Sequence, residues 1–419
     1  MTKKNLIALF SGAGGMDLGF KNAGFNILWA CDFNKDAVNT YSKNIGNHIE
    51  LVDITQVDSK DIPGDPYEVD VIIGGFPCQG FSIANTNRSM EDERNFLYLE
   101  MLRIIEDKKP KFFVAENVKG LISMQGGQVI KMIIDDFSRI GYSVDFRILN
   151  AANYGVPQAR ERVIIMGNRI GVKNTFPEPT HTALPKDYNL FSDTYDLQPH
   201  ITVAETIGHL ADVEIQNGKI NEYIEVNKQK IFNHIASTTV HDKFFGRKFD
   251  VNQEEICDYL KEWRKISGWS TKRIDEHFGY KHTAGHWFRK DNKSGSIPKP
   301  SDWWELKKLL GFDDKYDEQV TTFIEKEIKF EQSLRITNWD RPSDTITATS
   351  PEIHVNRQRR LSGRECAMLQ TFPNDFIFTG SLNSIYRQIG NAVPVLLAEQ
   401  IAIKIIEQIE SKEKVAIQI

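Results

Sequence analysis

Between Asn5 and Asn168, apolar positions recur in two alternating periods. Short runs rich in β-branched and aromatic residues ("NLIALF", "NILWAC", "HIELVDI", "VDVIIGG", "KFFVAEN") read as strands. Between them, Lys35 to Ile45, Arg94 to Asp107 and Gly127 to Ile140 carry the spacing of amphipathic helices. This alternation predicts an α/β fold with a mostly parallel sheet and helices on both faces. The last two runs, "SVDFRILN" and "RVIIMGN", are separated by a loop rather than a helix, so they are expected to pair antiparallel at one edge. In such sheets ligands bind beyond the carboxyl ends of the strands, which directs attention to the residues just after each run.

The rhythm stops near Thr175. "FPEPTHTALPKDYNL" is rich in proline and turn formers, which places a domain boundary near 175 to 180 and a second, smaller domain over 179–382. Helical periodicity returns in "SIYRQIGNAVPVLLAEQIAIKIIEQIESK", which is expected to pack back so that 383–419 completes the 1–178 domain.

Composition narrows the class without redirecting it. The chain has 419 residues, 40% hydrophobic and 26% charged, enough to bury a sizeable core. Its four cysteines are far apart with no metal-ligand spacing, so neither a disulfide framework nor a zinc site is expected. Cys31, Cys257 and Cys366 read as small buried hydrophobes. The apolar run after Lys3 and Lys4 is shorter than a secretion signal requires, and no stretch approaches the roughly 20 apolar residues of a membrane span. A cytoplasmic protein with no membrane contact and no metal is the expectation. The net charge of −5 argues weakly against a purely electrostatic polyanion binder.

The strand ends carry the chemistry. After the first run, "LFSGAGGMDLGF" supplies Gly12, Gly14 and Gly15 for a tight turn and close approach of backbone to a ligand. A dinucleotide-binding GxGxxG would need glycine where Asp17 stands, which disfavours a nicotinamide enzyme. Asp32 ends the second run, placed to hold ribose hydroxyls, and Asp53 ends the third. Together they describe a nucleoside pocket with no cation for a pyrophosphate, which suits S-adenosylmethionine better than NAD. The fourth run ends in "GGFPCQGFS", where Pro77 fixes the backbone before Cys78, a thiol placed to attack a bound molecule as the thiolate. The fifth ends in "AENV", which sets Glu116 at an equivalent height as a carboxyl whose pKa would rise in a dry pocket.

"FSGAGGMDLGF", "GGFPCQGFS", "ENV", "QARERV" and "QIGNAVP", in that order, resemble the ordered motifs of the cytosine-5 DNA methyltransferases. "RPSDTIT" and "RRLSGRECAMLQTFP" resemble that family's penultimate conserved segment. The resemblance covers about residues 5–168 and 335–402, with Val395 where a second proline is common and Asp32 the shorter of two usual acids. It implies a Rossmann-like sheet, S-adenosylmethionine as cofactor and double-stranded DNA as substrate. The target cytosine is flipped out of the duplex because its reacting face is otherwise stacked. By motif matching, Cys78 adds to ring carbon 6, Glu116 binds ring nitrogen 3 and the exocyclic amine, and Arg162 reaches the carbonyl. Arg160, implied among the catalytic residues, and Gln158, implied for substrate binding, order the site; Gln79 and Ser82, implied for substrate binding, stand in the loop after the cysteine, which suits a closing lid. Phe10, Gly12, Gly14, Asp32, Asp53, Ile54 and Pro77 are implied for the cofactor, with Asn391 and Val393 closing its pocket. The family also implies a monomer, the modification half of a restriction system or a solitary enzyme. A cognate endonuclease would then act on the same site without a stable complex. An RNA substrate and an inactive DNA-binding regulator are the other readings, and intact Cys78, Glu116, Arg160 and Arg162 oppose the latter.

Residues 180–335 carry no family motif and in this family such a region reads the DNA sequence. Within it, Lys261 to Lys308 holds twelve Lys/Arg against six Asp/Glu. "STKRIDEHFGYKHTAGHWFRK" resembles a helix-turn-helix within a basic helical insertion at about 255–315, which makes Lys272, Arg273 and Arg289 candidate DNA contacts. A solvated helical hairpin packed through Trp263, Trp269, Phe278 and Trp287 is the plainer alternative.

Overall fold

A computed structural model describes residues 3–77, 97–183, 197–216, 222–237, 253–279, 287–288, 297–298, 300–321, 335–349, 351–356 and 359–417. The alternating segment folds as β1 (Asn5–Leu9), α1 (Gly15–Asn22), β2 (Asn26–Asp32), α2 (Lys35–Asn44), β3 (Ile49–Leu51), β4 (Val71–Gly74), α3 (Leu97–Lys108), β5 (Phe112–Val118), α4 (Gln128–Arg139), β6 (Ser143–Asn150) and β7 (Glu161–Asn168). These strands form one sheet in the order β3-β2-β1-β4-β5-β7-β6. β1 to β5 run parallel, and β7 lies antiparallel between β5 and β6, the edge arrangement that the loop between the last two runs predicts.

Because side chains alternate along a strand, the central strands feed two cores. Leu6, Ala8, Val71, Ile73, Phe112, Val114, Ile164 and Met166 face one side, covered by α1, α2 and the C-terminal helix. Ile7, Leu9, Ile72, Phe113, Ala115, Val163 and Ile165 face the other, covered by α3 and α4. Strands buried on both faces read as continuous apolar runs for this reason.

The chain divides into two compact units, residues 1–240 with 333–419 and residues 241–332. The expected second domain at 179–382 is therefore itself divided: its two flanks belong to the sheet-bearing unit. The Ile377 and Thr379 N–H groups donate to Asn44 and Thr40 of α2, and further hydrogen bonds tie the two flanks to each other. The Arg364 guanidinium donates to the carbonyls of Phe232, Pro373 and Phe376, and Asn233 exchanges two bonds with Phe378. Nearby, β8 (His181–Thr182) pairs with β9 (Gln198–Pro199), α5 (Val203–Ile207) follows, and β10 (Tyr223–Val226) pairs with β11 (Gln229–Phe232). The smaller unit contains α6 (Gln253–Ser267), α7 (Thr271–Phe278), α8 (Pro300–Leu310) and α9 (Asp317–Thr321) around its own core of Ile256, Leu260, Ile274, Trp287, Trp303 and Leu306.

The end of the chain forms α10 (Gly363–Leu369), α11 (Leu382–Asn391) and α12 (Val395–Ile417). The single helical stretch expected from the sequence is split at Ala392–Pro394, since proline cannot donate into a continuing helix and Ala392 is extended. α12 packs on α1 through glycines: a Cβ on Gly15 would lie 2.5 Å from the Val393 carbonyl, and one on Gly19 2.5 Å from that of Val395. Contrary to the sequence expectation, Leu382–Lys414 is long and apolar enough for a membrane span by length and composition. Leu397, Ala398, Ile401, Ile405 and Ile409 are instead buried in the core beneath the sheet.

Candidate active site

The glycine loop after β1 is bent by left-handed backbone at Phe10, Gly12 and Gly14, with φ of 55°, 55° and 88°. Gly14 also admits the α2 helix, since a Cβ there would lie 2.2 Å from Ile45 Cδ1. Asp32 pins this loop to the end of β2: its carboxylate accepts the Gly12 N–H and the Asn34 N–H, both at 2.8 Å. Burial raises the Asp32 pKa, and these backbone donors pull it back. The bonds fix the carboxylate while leaving lone pairs for a ligand hydroxyl. Asp53, exposed, accepts from Thr55 and caps a short turn. Ile54 is 4% exposed and packs into the core on the α3 side, so its side chain is a wall support rather than an open surface.

Sequence reasoning missed three residues here. Phe33, directly after Asp32, is 74% exposed and presents an aromatic ring at the strand end. Its signal was available: a large aromatic in a polar βα turn. Arg103 of α3 donates to the carbonyls of Ile54 and Val57 and to Ser59 Oγ, bracing the loop after β3. Asp17, read only as a departure from a dinucleotide motif, is fully buried in the first turn of α1. Burial pushes its pKa up to about 7, against the pull of the neighbouring Tyr41 hydroxyl.

Glu116 and Arg162 meet because of register. Val118 stands opposite Arg162, and Glu116 shares that face two residues back, so the two side chains are diagonal neighbours. Arg162 Nε lies 2.8 Å from Glu116 Oε1, and both side chains are only about one-tenth exposed. Burial lowers the Arg162 pKa and Glu116 opposes this. Gly75 leaves room for the carboxylate, since a Cβ there would lie 3.1 Å from Glu116 Oε2. Pro77 is half-buried at the last described position of that loop; Cys78, Gln79 and Ser82 lie outside the described residues.

Arg160 and Gln158, expected to order the site, are both buried. Arg160 is 1% exposed and donates to the carbonyls of Ile346 and Gly390, at 3.2 and 2.9 Å. Burial pushes its pKa down to about 9, Arg162 acts in the same direction, and Glu116 opposes. Gln158 is wholly buried, accepting from the Ile346 N–H and donating to the Leu369 carbonyl. Residues 157–159 also exchange backbone bonds with Ser343. The two side chains therefore staple the segment before β7 to "SDTI" and to α11. Asn391 is exposed at the end of α11, and Val393 is buried with its carbonyl against Gly15.

In the smaller unit, Lys272 and Arg273 are exposed on α7. Lys272 stands 4.0 Å from Glu276, and the Arg273 guanidinium stacks 4.1 Å above Trp269. Gly279 ends α7 with φ 70°, as a turn after that helix requires. Arg289 lies outside the described residues. Trp287 is buried in this unit's core, and Trp263, Trp269 and Phe278 pack around it.

A glycine loop, strand-end acids and an exposed aromatic, beside a carboxylate–guanidinium pair on a mixed sheet, fit a Rossmann-like methyltransferase. Residues 4–407 match the model of the C-5 cytosine-specific DNA methylases. The chain belongs to that family, whose methyl donor is S-adenosylmethionine and whose product is 5-methylcytosine in DNA. It is 34% identical over 426 residues to the type II methyltransferase M.AgeI of Thalassovita gelatinovora, covering 94% of this chain and 97% of that one. It is 33% identical over 400 residues to M.NgoFVII of Neisseria gonorrhoeae, covering 94% and 83%. In fold it is similar to the Entamoeba histolytica methyltransferase EhMeth, with a TM-score of 0.55 at 14% identity over 98% of this chain and 99% of that one.

Proposed function

We propose that the chain is a type II modification methyltransferase that methylates cytosine within one duplex sequence, as the names of its relatives suggest. When bound, S-adenosylmethionine supplies an electrophilic methyl group. The chain supplies the rest. The fixed Asp32 carboxylate accepts from the ribose hydroxyls, the Phe33 ring offers a shelf for the adenine, and the glycine loop brings backbone N–H groups to the methionine end. Asp53 and the Asn391–Val393 turn line the remaining walls.

Carbon 5 of cytosine is a weak nucleophile. The Cys78 thiolate forms a bond to carbon 6, which makes carbon 5 electron-rich enough to take the methyl group. The carbon 5 proton then leaves, the sulfur–carbon bond breaks, and the thiolate is regenerated. Glu116, held by Arg162, accepts from the exocyclic amine and carries a proton to ring nitrogen 3 as the sulfur adds, which neutralises the negative charge that develops on the ring. The observation that carries this reading is the Glu116–Arg162 pair set against the Gly75–Phe76 backbone, with a cysteine two residues further along the chain. Residues 179–382 are proposed to read the DNA sequence, with Lys272, Arg273 and Arg289 as phosphate contacts. A monomer in the cytoplasm, with a separately acting endonuclease for the same site, fits this role. Cys78→Ser is expected to abolish transfer of tritiated methyl groups to DNA while S-adenosylmethionine binding by calorimetry stays within threefold. Near-normal turnover by this variant would overturn the assignment.

A further inference from the structure

Glu116 and Asn117 are neighbours on β5 and so point to opposite faces of the sheet. Glu116 faces Arg162; Asn117 turns back and is 3% exposed. Its Nδ2 donates to the Phe76 carbonyl at 3.0 Å, and its Oδ1 accepts the Val118 N–H at 2.8 Å. The second bond fixes which way round the amide sits, so the donor end must face Phe76. Phe76 is itself 2% exposed and packed against Tyr98 of α3. Beyond Gly74, β4 no longer pairs with β5 in the ladder, and this side-chain bond continues the link between the two strands by two residues.

We infer that Asn117 is a positioning residue for the nucleophile: by holding the Phe76 carbonyl, it sets where the chain leading to Cys78 leaves the sheet relative to Glu116. This rests on Cys78 being the nucleophile. Asn117 touches neither substrate nor cofactor in this scheme. It acts because a single rigid strand then carries both the carboxylate that binds the base and the tether for the thiol-bearing loop. A misplacement of about 1 Å between reacting groups costs on the order of 100-fold in rate.

Asn117→Asp tests this with almost no change in shape. The carboxyl still accepts the Val118 N–H. When ionised, its other oxygen repels the Phe76 carbonyl; when protonated, its O–H donates there and restores the tether. The titratable and charged groups on the elements around it are Glu116 and Lys119 along β5, Glu161 and Arg162 of β7, Tyr98 of α3, which packs on Phe76, and its partner Asp136 of α4, and these are common to both proteins. The ratio of variant to wild type therefore isolates the new carboxyl. The readout is the single-turnover rate of covalent adduct formation with a 5-fluorocytosine duplex in the presence of S-adenosylmethionine, at pH 8 and pH 6. Affinities for cofactor and DNA are measured alongside.

The expected result is a loss of roughly 10- to 100-fold at pH 8 that shrinks to under about fivefold at pH 6, with both affinities within threefold of wild type. Asn117→Ser, uncharged and too short to reach Phe76, should show the same loss at both pH values, and it carries the test if the buried carboxylate prevents folding. Wild-type adduct rates in Asn117→Ser overturn the inference, as does a loss matched by an equal fall in cofactor affinity. Cys78→Ser serves as the separate control. If it still forms adduct at the wild-type rate, the nucleophile assignment fails, whatever Asn117 does.

Discussion

Gly19→Ala sets two physical effects against each other. Gly19 lies inside α1, where alanine is intrinsically favoured over glycine by about 0.5–1 kcal/mol. Judged from the helix alone, the substitution should stabilise. In the folded chain the added Cβ would lie 2.5 Å from the Val395 carbonyl, 2.6 Å from Ala398 Cβ and 2.7 Å from the Glu399 N. All three belong to the first two turns of α12 and none is a flexible side-chain end. Relief requires the helices to separate, and overpacking of this kind costs roughly 1–3 kcal/mol. The net expectation is destabilisation by about 1–2 kcal/mol, a fall in Tm of roughly 1–3 °C. The same displacement moves the Ala392–Pro394 turn, so affinity for S-adenosylmethionine should drop severalfold. Gly208→Ala is the matched control: its φ is −57° and a Cβ there meets nothing within 4 Å, so it should be neutral or slightly stabilising. Thermal unfolding by circular dichroism and titration calorimetry read both quantities. A Gly19→Ala protein melting at or above the wild type would refute the close α1–α12 contact.

Asp17→Asn should alter the pH dependence of stability. Because the folded pKa is raised to about 7 from 3.8, the native chain holds a proton that the unfolded chain has released between those values. Asp17 is therefore least costly below about pH 4, and stability is lost as pH rises through 7. The variant should gain on wild type by at most about 1.4 kcal/mol per pH unit in that window, checked by urea unfolding at pH 5 and 8; a constant gap would contradict the burial. Arg160→Leu leaves the Ile346 and Gly390 carbonyls without their donor, at about 1–3 kcal/mol each, and should lower stability and cofactor affinity together. A loss of kcat alone would return Arg160 to a direct catalytic role. Lys272→Ala with Arg273→Ala should weaken DNA binding and reduce its log-log salt slope by about 2, measured by fluorescence anisotropy over a salt series. An unchanged slope would make α7 a plain solvated helix.

The amino-acid sequence alone determined the strand and helix alternation, the antiparallel edge pair and the strand-end positions of Gly12, Asp32, Asp53 and Glu116. These are local properties: periodicity follows from which face is buried, and a ligand-facing residue must stand just past a strand. The return of the final helices was also legible, because an apolar helix that long needs a core. Tertiary structure decided the rest. Arg160 and Arg162 are two residues apart in one motif, and nothing local separates them. One meets a carboxylate and the other two backbone carbonyls, because residues 341–346 and α11 close over the first and leave the second beside β5. Asn117 likewise reads as one letter of a tripeptide until the alternation of β5 turns it onto Phe76. Contacts between segments far apart in the chain are fixed by register and packing, which no short window of sequence contains.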